Sequence, residues 1–208
     1  MARMLRFSIL FTGLVITAAS AAHAQYMFLD SNRDGVCSTS DYIGAGIDSV
    51  DVWLDTTQNG NTSPAVCSTG ETLSIDAYEI IVRGSGITFL GYANKRPEFT
   101  VATPLLIGTT DATVGYATPS PNSTYLPAGR YLLGTFAVQF QGGRCPYLFI
   151  VTGTSIRPSA FTGFRSECTG SNGNHWITLP DDFVDVCGMG GCDGVEPTTW
   201  GRIKVMYR

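Results

Sequence analysis

From residue 48 to residue 151 the chain is a succession of short runs that alternate polar and apolar side chains, punctuated by glycine and proline. Period-two alternation sends every second side chain to one face, as a strand half-buried against a core requires. Ser49-Val-Asp-Val-Trp-Leu54 shows the pattern most cleanly, with Trp53 expected on the core side. Ser74-Ile-Asp-Ala-Tyr-Glu-Ile-Ile-Val82 alternates first and then turns continuously apolar. Further strands are expected at Ile87–Tyr92, Glu98–Ala102, Thr113–Ala117, Tyr131–Phe140 and Tyr147–Val151. Between them stand Arg83-Gly-Ser-Gly86, Pro119–Asn122, Pro127-Ala-Gly129 and Gln141-Gly-Gly143, all turn-forming segments. Helix signals are nearly absent. Many short, evenly spaced strands predict an all-β sandwich or barrel, not alternating strand–helix units.

The N-terminus has a different character. Met1 to Arg6 carries two arginines and no acid, Phe7 to Ala18 is almost wholly apolar, and Ala22-His23-Ala24 follows. That order marks a secretory signal peptide, whose apolar stretch is too short to span a bilayer as a helix. Residues 1–24 are therefore expected to be removed, leaving a mature chain from about Gln25 with no membrane span. Such a chain is secreted, extracellular or held at the cell surface.

All six cysteines, Cys37, Cys67, Cys145, Cys168, Cys187 and Cys192, follow the cleavage point. An even number in an exported chain predicts disulfides. Sequence order favours Cys37–Cys67, Cys145–Cys168 and Cys187–Cys192, because each pair staples one local region. Zinc is the rival reading, but there is no CxxC pair and the mature chain has a single histidine, His175. The net charge is −4, and loss of Arg3 and Arg6 makes the mature chain more acidic. Nucleic acid is thus excluded as a partner, since phosphate binding needs basic patches.

Residues 25–197 are read as one sandwich domain. Within it, residues 153–197 are rich in glycine and hold three of the cysteines, so they are expected as disulfide-stapled loops with a short strand near Trp176–Leu179. Residues 198–208 form an amphipathic C-terminal helix or tail. Thr198 or Thr199 can cap it, and Trp200, Ile203 and Met206 or Tyr207 share one face. A helix this short is marginal alone in water, so it docks either on its own domain or on a partner.

Asp30-Ser-Asn32-Arg-Asp34-Gly35-Val36-Cys-Ser-Thr-Ser-Asp41 is the strongest motif. Side-chain oxygens at positions 1, 3 and 5 converge when a loop turns tightly, glycine at 6 permits the turn, position 7 offers a carbonyl, and an acid at 12 closes the cage. Hard oxygens at that spacing suit calcium better than magnesium, which demands a tighter octahedron. An Asx-rich turn without metal is the plainer alternative. A second loop, Asp55-Thr-Thr57-Gln-Asn59-Gly60, repeats the first part of the pattern without the closing acid. Asp55, Thr57 and Asn59 either share the first ion, with Asp55 reaching back, or hold a weaker second one, or form a plain turn.

The closing Asp41 makes the first loop resemble the calcium loop of dockerin repeats, over about 14 residues. The order of that loop, then Val50-Asp-Val-Trp-Leu-Asp55, then Ala77-Tyr-Glu-Ile-Ile-Val82, then Leu132-Leu-Gly-Thr-Phe-Ala-Val138, resembles secreted bacterial cohesin-like β-sandwich proteins. That resemblance implies a cohesin or carbohydrate-binding-like, jelly-roll type of sandwich and a non-catalytic binding role.

Enzymatic readings find no support in the residues. His175 in Gly173-Asn-His-Trp176 lies in no nucleophile motif, and Glu71, Glu79, Glu98, Glu167 and Glu196 lie in no recognisable catalytic one. A binding module for a polysaccharide or an extracellular protein is the first hypothesis. Trp176, beside Asn172, Asn174 and His175, is the one tryptophan in a polar loop context and so the candidate stacking platform, unless it is core. A structural or assembly subunit of the cell surface or extracellular matrix is the second. Mass spectrometry of the exported protein should find a chain that starts at Gln25; an N-terminus that retains Phe7–Ala18 would mean an uncleaved anchor.

Overall fold

The computed structural model describes residues 26–37, 41, 43, 47–58, 64–67, 70, 72–119, 125–140, 146–166, 175–178 and 184–185. No described residue is helical, and no helix among them is long and apolar enough to cross a membrane. The expected signal peptide, Asn59, the four cysteines from Cys145 onward and the C-terminal helix lie outside the described residues.

Eleven strands run in chain order: β1 (Tyr26–Asp30), β2 (Ile47–Asp55), β3 (Ala77–Ser85), β4 (Ile87–Asn94), β5 (Val101–Ile107), β6 (Asp111–Ala117), β7 (Arg130–Phe140), β8 (Tyr147–Val151), β9 (Gly163–Ser166), β10 (His175–Thr178) and β11 (Val184–Asp185). They form two sheets. The first has the order β11-β1-β2-β7-β4, and the second β10-β9-β3-β6-β5 with β8 also paired to β3. Every pairing is antiparallel except β1 with β11. The described residues form an all-β sandwich.

Alternation sets the core. Val50, Val52 and Leu54 of β2, with Phe136 and Val138 of β7, face Tyr78, Ile80 and Val82 of β3 and Val114 of β6, all within one apolar cluster. Each such buried side chain contributes on the order of 1.5–3 kcal/mol. Tyr78 is buried along its whole length, and its hydroxyl meets Tyr92 Oη at 3.0 Å and the Leu133 carbonyl at 3.2 Å. The phenol thus crosses the core with its polar end satisfied.

Several sequence expectations shift here. Trp53 is not on the core side: it stands with Asp51 and Asp55 on the outer face of the first sheet. The parity of Ser49–Leu54 requires this once Val50, Val52 and Leu54 face inward. Arg83-Gly-Ser85 is strand rather than turn. Gly84 is there for close packing, since a Cβ would sit 2.5 Å from Ile87 Cδ1, and the chain reverses at Gly86 with φ +69. The strand expected at Glu98–Ala102 begins later, because Phe99 N–H donates to the Arg96 carbonyl at 3.1 Å in a turn. The short strand expected near Trp176–Leu179 is β10, and β9 and β11 also join sheets in the segment expected as loops. Strands of two to four residues carry too little alternation to be read locally.

The outer face of the second sheet holds buried charge. Asp76, fully buried, receives both arms of Arg165, Nε to Oδ1 at 2.6 Å and Nη2 to Oδ2 at 2.5 Å. Breaking a buried pair strands the remaining charge. Arg165→Ala should lower unfolding free energy in urea by about 3–5 kcal/mol, and adding Asp76→Asn should recover part of that loss.

Candidate functional site

β1 ends on Asp30, and the following residues fold back over the outer face of the first sheet. Asp30 is fully buried; its Oδ1 accepts the Arg33 N–H at 2.6 Å and its Oδ2 the Gly35 N–H at 2.7 Å. Asp41, equally buried, closes the loop from its far end, where Oδ1 accepts the N–H groups of Ser31 at 3.0 Å and Asn32 at 3.3 Å. Between them Asn32 Oδ1 accepts Asp34 N–H at 3.0 Å, and Asp34 Oδ1 accepts Val36 N–H at 2.7 Å. Gly35 turns the chain with φ +78, in the left-handed region that glycine enters without a Cβ penalty. The structure thus gathers Asp30, Asn32, Asp34 and Asp41 into one turn, with Val36 following at its edge.

Burial pushes the Asp30 carboxyl above its ordinary range; the Gly35 and Arg33 N–H groups oppose that rise, and the charges of Asp41 and Asp34 add to it. The carboxylates are therefore close enough to repel. Among the described residues no three His, Cys, Asp or Glu side chains form a metal-holding group by themselves. Asp30, Asp34 and Asp41 are among the described acids, so their carboxylates do not converge as such a group here. The Asn32 amide and the Val36 carbonyl expected beside them are hard oxygens of the kind calcium takes.

Trp53 seats the loop. Its Nε1–H donates to Asp30 Oδ2 at 3.2 Å, and a Cβ on Gly35 would lie 3.4 Å from its ring. Phe28 stacks on the indole at 6.3 Å between centroids, and the Arg130 guanidinium lies over both rings at 5.0 and 5.4 Å. Arg130 also donates to the Gly35 carbonyl. Asp51, Trp53 and Arg130 are functional candidates the sequence reading missed. Only strand parity could have placed them, and their neighbours come from other strands.

The second loop is separate from the first. Asp55 pairs with Tyr26 in the β1–β2 register whereas Asp51 pairs with Asp30, so Asp55 and Asp30 stand about 13 Å apart along the strands. The side-chain bonds of Asp55 stay within its own loop. Asp55 Oδ1 accepts Thr57 N–H at 2.8 Å and Thr57 Oγ1–H at 2.6 Å, and Oδ2 accepts Gln58 Nε2–H at 3.1 Å. Cys37 and Cys67 are both disulfide-bonded. Trp176 lies in β10, opposite Arg165 of β9.

Across the sandwich, the segment 152–162 lies over the outer face of β3 and β6. Arg157 pairs with Glu79, Thr113 Oγ1–H donates to Glu79 at 3.5 Å, and Ile81 N–H donates to Thr162 Oγ1 at 3.0 Å. Asp111 receives Arg83 twice at 2.8 Å and Thr154 Oγ1–H at 2.7 Å. Beside this covered patch, edge strand β5 is open: Val101, Leu106 and Ile107 are 50%, 38% and 47% exposed. The register of β5 on β6 slips between Thr103 and Leu106, next to Pro104.

No family model matches the chain, and no curated protein matches it. Its structural neighbours are cohesin modules. The sixth cohesin of Acetivibrio cellulolyticus scaffoldin B, solved with a Cel5 dockerin mutant, gives a TM-score of 0.46 at 9% identity, covering 75% of this chain and 99% of that one. A type III cohesin from the cell-surface anchoring scaffoldin ScaE of Ruminococcus flavefaciens gives 0.45 at 8%, covering 80% and 93%. A Clostridium thermocellum OlpC cohesin in complex with a dockerin gives 0.42 at 8%, covering 84% and 93%. At these values no residue or partner is carried across.

The Asp111 carboxyl is held down at about 2, first by the Arg83 guanidinium and then, against the cost of burial, by Thr154 and Thr110. Its folded value lies below the ordinary 3.8, so the stability it contributes is complete above that value and is lost as pH falls toward 2. Asp111→Asn should flatten this acid limb in urea unfolding measured between about pH 2 and 5.

Proposed function

We propose that this chain is an exported, non-catalytic binding module of the extracellular space or cell surface. It is a cohesin-like sandwich that recognises an extracellular protein and is stabilised by calcium and disulfides. The observation that carries the reading is β5, an edge strand with three exposed large apolar side chains. Proline at an edge and a break in register both discourage a further strand from adding to the ladder. What β5 offers a partner is therefore its side chains, in the manner of a side-chain docking surface rather than an added strand.

Asp30, Asn32, Asp34, Val36 and Asp41 would hold the calcium ion, whose charge would offset the repulsion that Asp30 meets from Asp41 and Asp34. Cys37 and Cys67 are assigned to one another, tying the loop to the connection between β2 and β3. With both devices the domain holds its shape outside the cell.

Asp30→Ala with Asp34→Ala should abolish the difference in melting temperature between calcium and chelator, a difference expected in the unaltered protein because ligand binding to the native state stabilises it. An unchanged chelator response would remove calcium from the account. Leu106→Glu should weaken capture of proteins from the producing cell's surface fraction by the purified chain; equal capture moves the contact elsewhere. Glycan-array binding without protein capture would make the ligand a polysaccharide. Calcium-dependent polymers without either would make the chain an assembly subunit.

A further inference from the structure

Segment 152–162, which joins β8 to β9, is closed at its neck. Thr162 N–H donates to the Thr152 carbonyl at 3.3 Å, and Thr162 Oγ1–H donates to the Val151 carbonyl. Thr162 is fully buried, and its Oγ1 accepts the Ile81 N–H at 3.0 Å, where the partner of β3 changes from β9 to β8. The neck is thus built into the sheet, and the body between its two ends is an Ω-loop, a compact excursion of about 6–16 residues whose ends stay together.

The body is gripped by polar contacts. Arg157 pairs with Glu79 of β3, and Thr154 Oγ1–H donates to Asp111 of β6 at 2.7 Å. Ile156 adds an apolar contact, since a Cβ on Gly108 would lie 2.5 Å from its Cγ2. Among the described residues, none from 152 to 162 belongs to the apolar cluster between the sheets. Lifting the body therefore breaks no core contact, and segments that bury little apolar surface open below the free energy of global unfolding.

What lies beneath is buried although it points outward. Glu79, Ile81, Asp111 and Thr113 are 9%, 0%, 4% and 0% exposed. Ile81 lies outside the apolar cluster, whereas its neighbours Ile80 and Val82 belong to it. Leu106 stands opposite Thr113 in the β5–β6 register, so this buried strip adjoins the exposed side chains of β5.

We propose that segment 152–162 is a lid, closed in this structure, whose body lifts from the outer face of β3 and β6 while the sandwich stays folded, with the Arg157–Glu79 pair as its catch. Closed, the second sheet offers the side chains of β5; open, it adds Glu79, Ile81 and Thr113 beside Leu106. The opening follows from the contacts of the segment itself. Only its consequence for docking rests on the reading of β5 above, so either can fail without the other.

Hydrogen exchange followed residue by residue in the full chain, across low denaturant concentrations, tests the lid. The Ile156 and Ala160 N–H groups, bonded to Thr154 Oγ1 at 3.3 Å and to the Arg157 carbonyl at 2.8 Å, report the body. Ile80 and Val82 report the core, and Ile81 reports the neck. Ile156 and Ala160 should exchange faster than these three and without dependence on denaturant, as local opening does. Arg157→Ala and Glu79→Gln should each speed the body amides by about 10–100-fold, the loss of one hydrogen bond to a charged group, and leave Ile80 and Val82 unchanged. Their combination should add nothing to the larger single effect, and Arg157→Lys should recover part of it. Body amides that exchange only with the core overturn the lid. So does an Arg157→Ala chain that speeds both sets alike or fails to fold, because the segment would then be part of the cooperative unit. Unchanged body amides in Glu79→Gln remove the catch.

Discussion

The packing of β2 and β7 onto β3 and β6, through Val52, Leu54, Phe136, Tyr78, Ile80 and Val114, settles where every other side chain of those strands must point. A strand has two faces, and once one is committed to the core the other is displayed outward without further choice. Asp51, Trp53 and Asp55 stand outside the first sheet for this reason, and Glu79 and Thr113 outside the second. The candidate site is a consequence of that commitment.

Both outer faces are more than solvent-facing surfaces. On the first sheet, Phe28, Trp53 and the loop after Asp30 build a second layer, with Arg130 over the rings and against the Gly35 carbonyl. On the second, segment 152–162 is held by Arg157 on Glu79 and Thr154 on Asp111. Each layer buries carboxylates, and a buried carboxylate needs a partner. Asp76 has Arg165 and Asp111 has Arg83. Asp30 is served by the backbone N–H groups of Arg33 and Gly35 and by the Trp53 indole.

Much of the sandwich was legible from alternation. β2, β3, β4, β6, β7 and β8 all fall on runs that alternate or are continuously apolar for five residues or more. β1, β9 and β11 did not show, being short segments whose strand character comes from the partner they pair with. Trp53 is expected on the core side from the alternation of its run, but the parity that sends Val50, Val52 and Leu54 into the core places it outside.

The loop from Asp30 to Asp41 was readable from sequence because its donors and its turn lie within one short stretch, and turn geometry is local. Strand parity, the spacing of the cysteines and the acidic balance are local or compositional in the same way. Only the tertiary structure brought Asp51 opposite Asp30, set Trp53 beneath Gly35, placed Asp55 opposite Tyr26 and put β5 at the edge of its sheet among the described residues. Those relations depend on cross-strand register between segments far apart in the chain, and no spacing within a single segment encodes it.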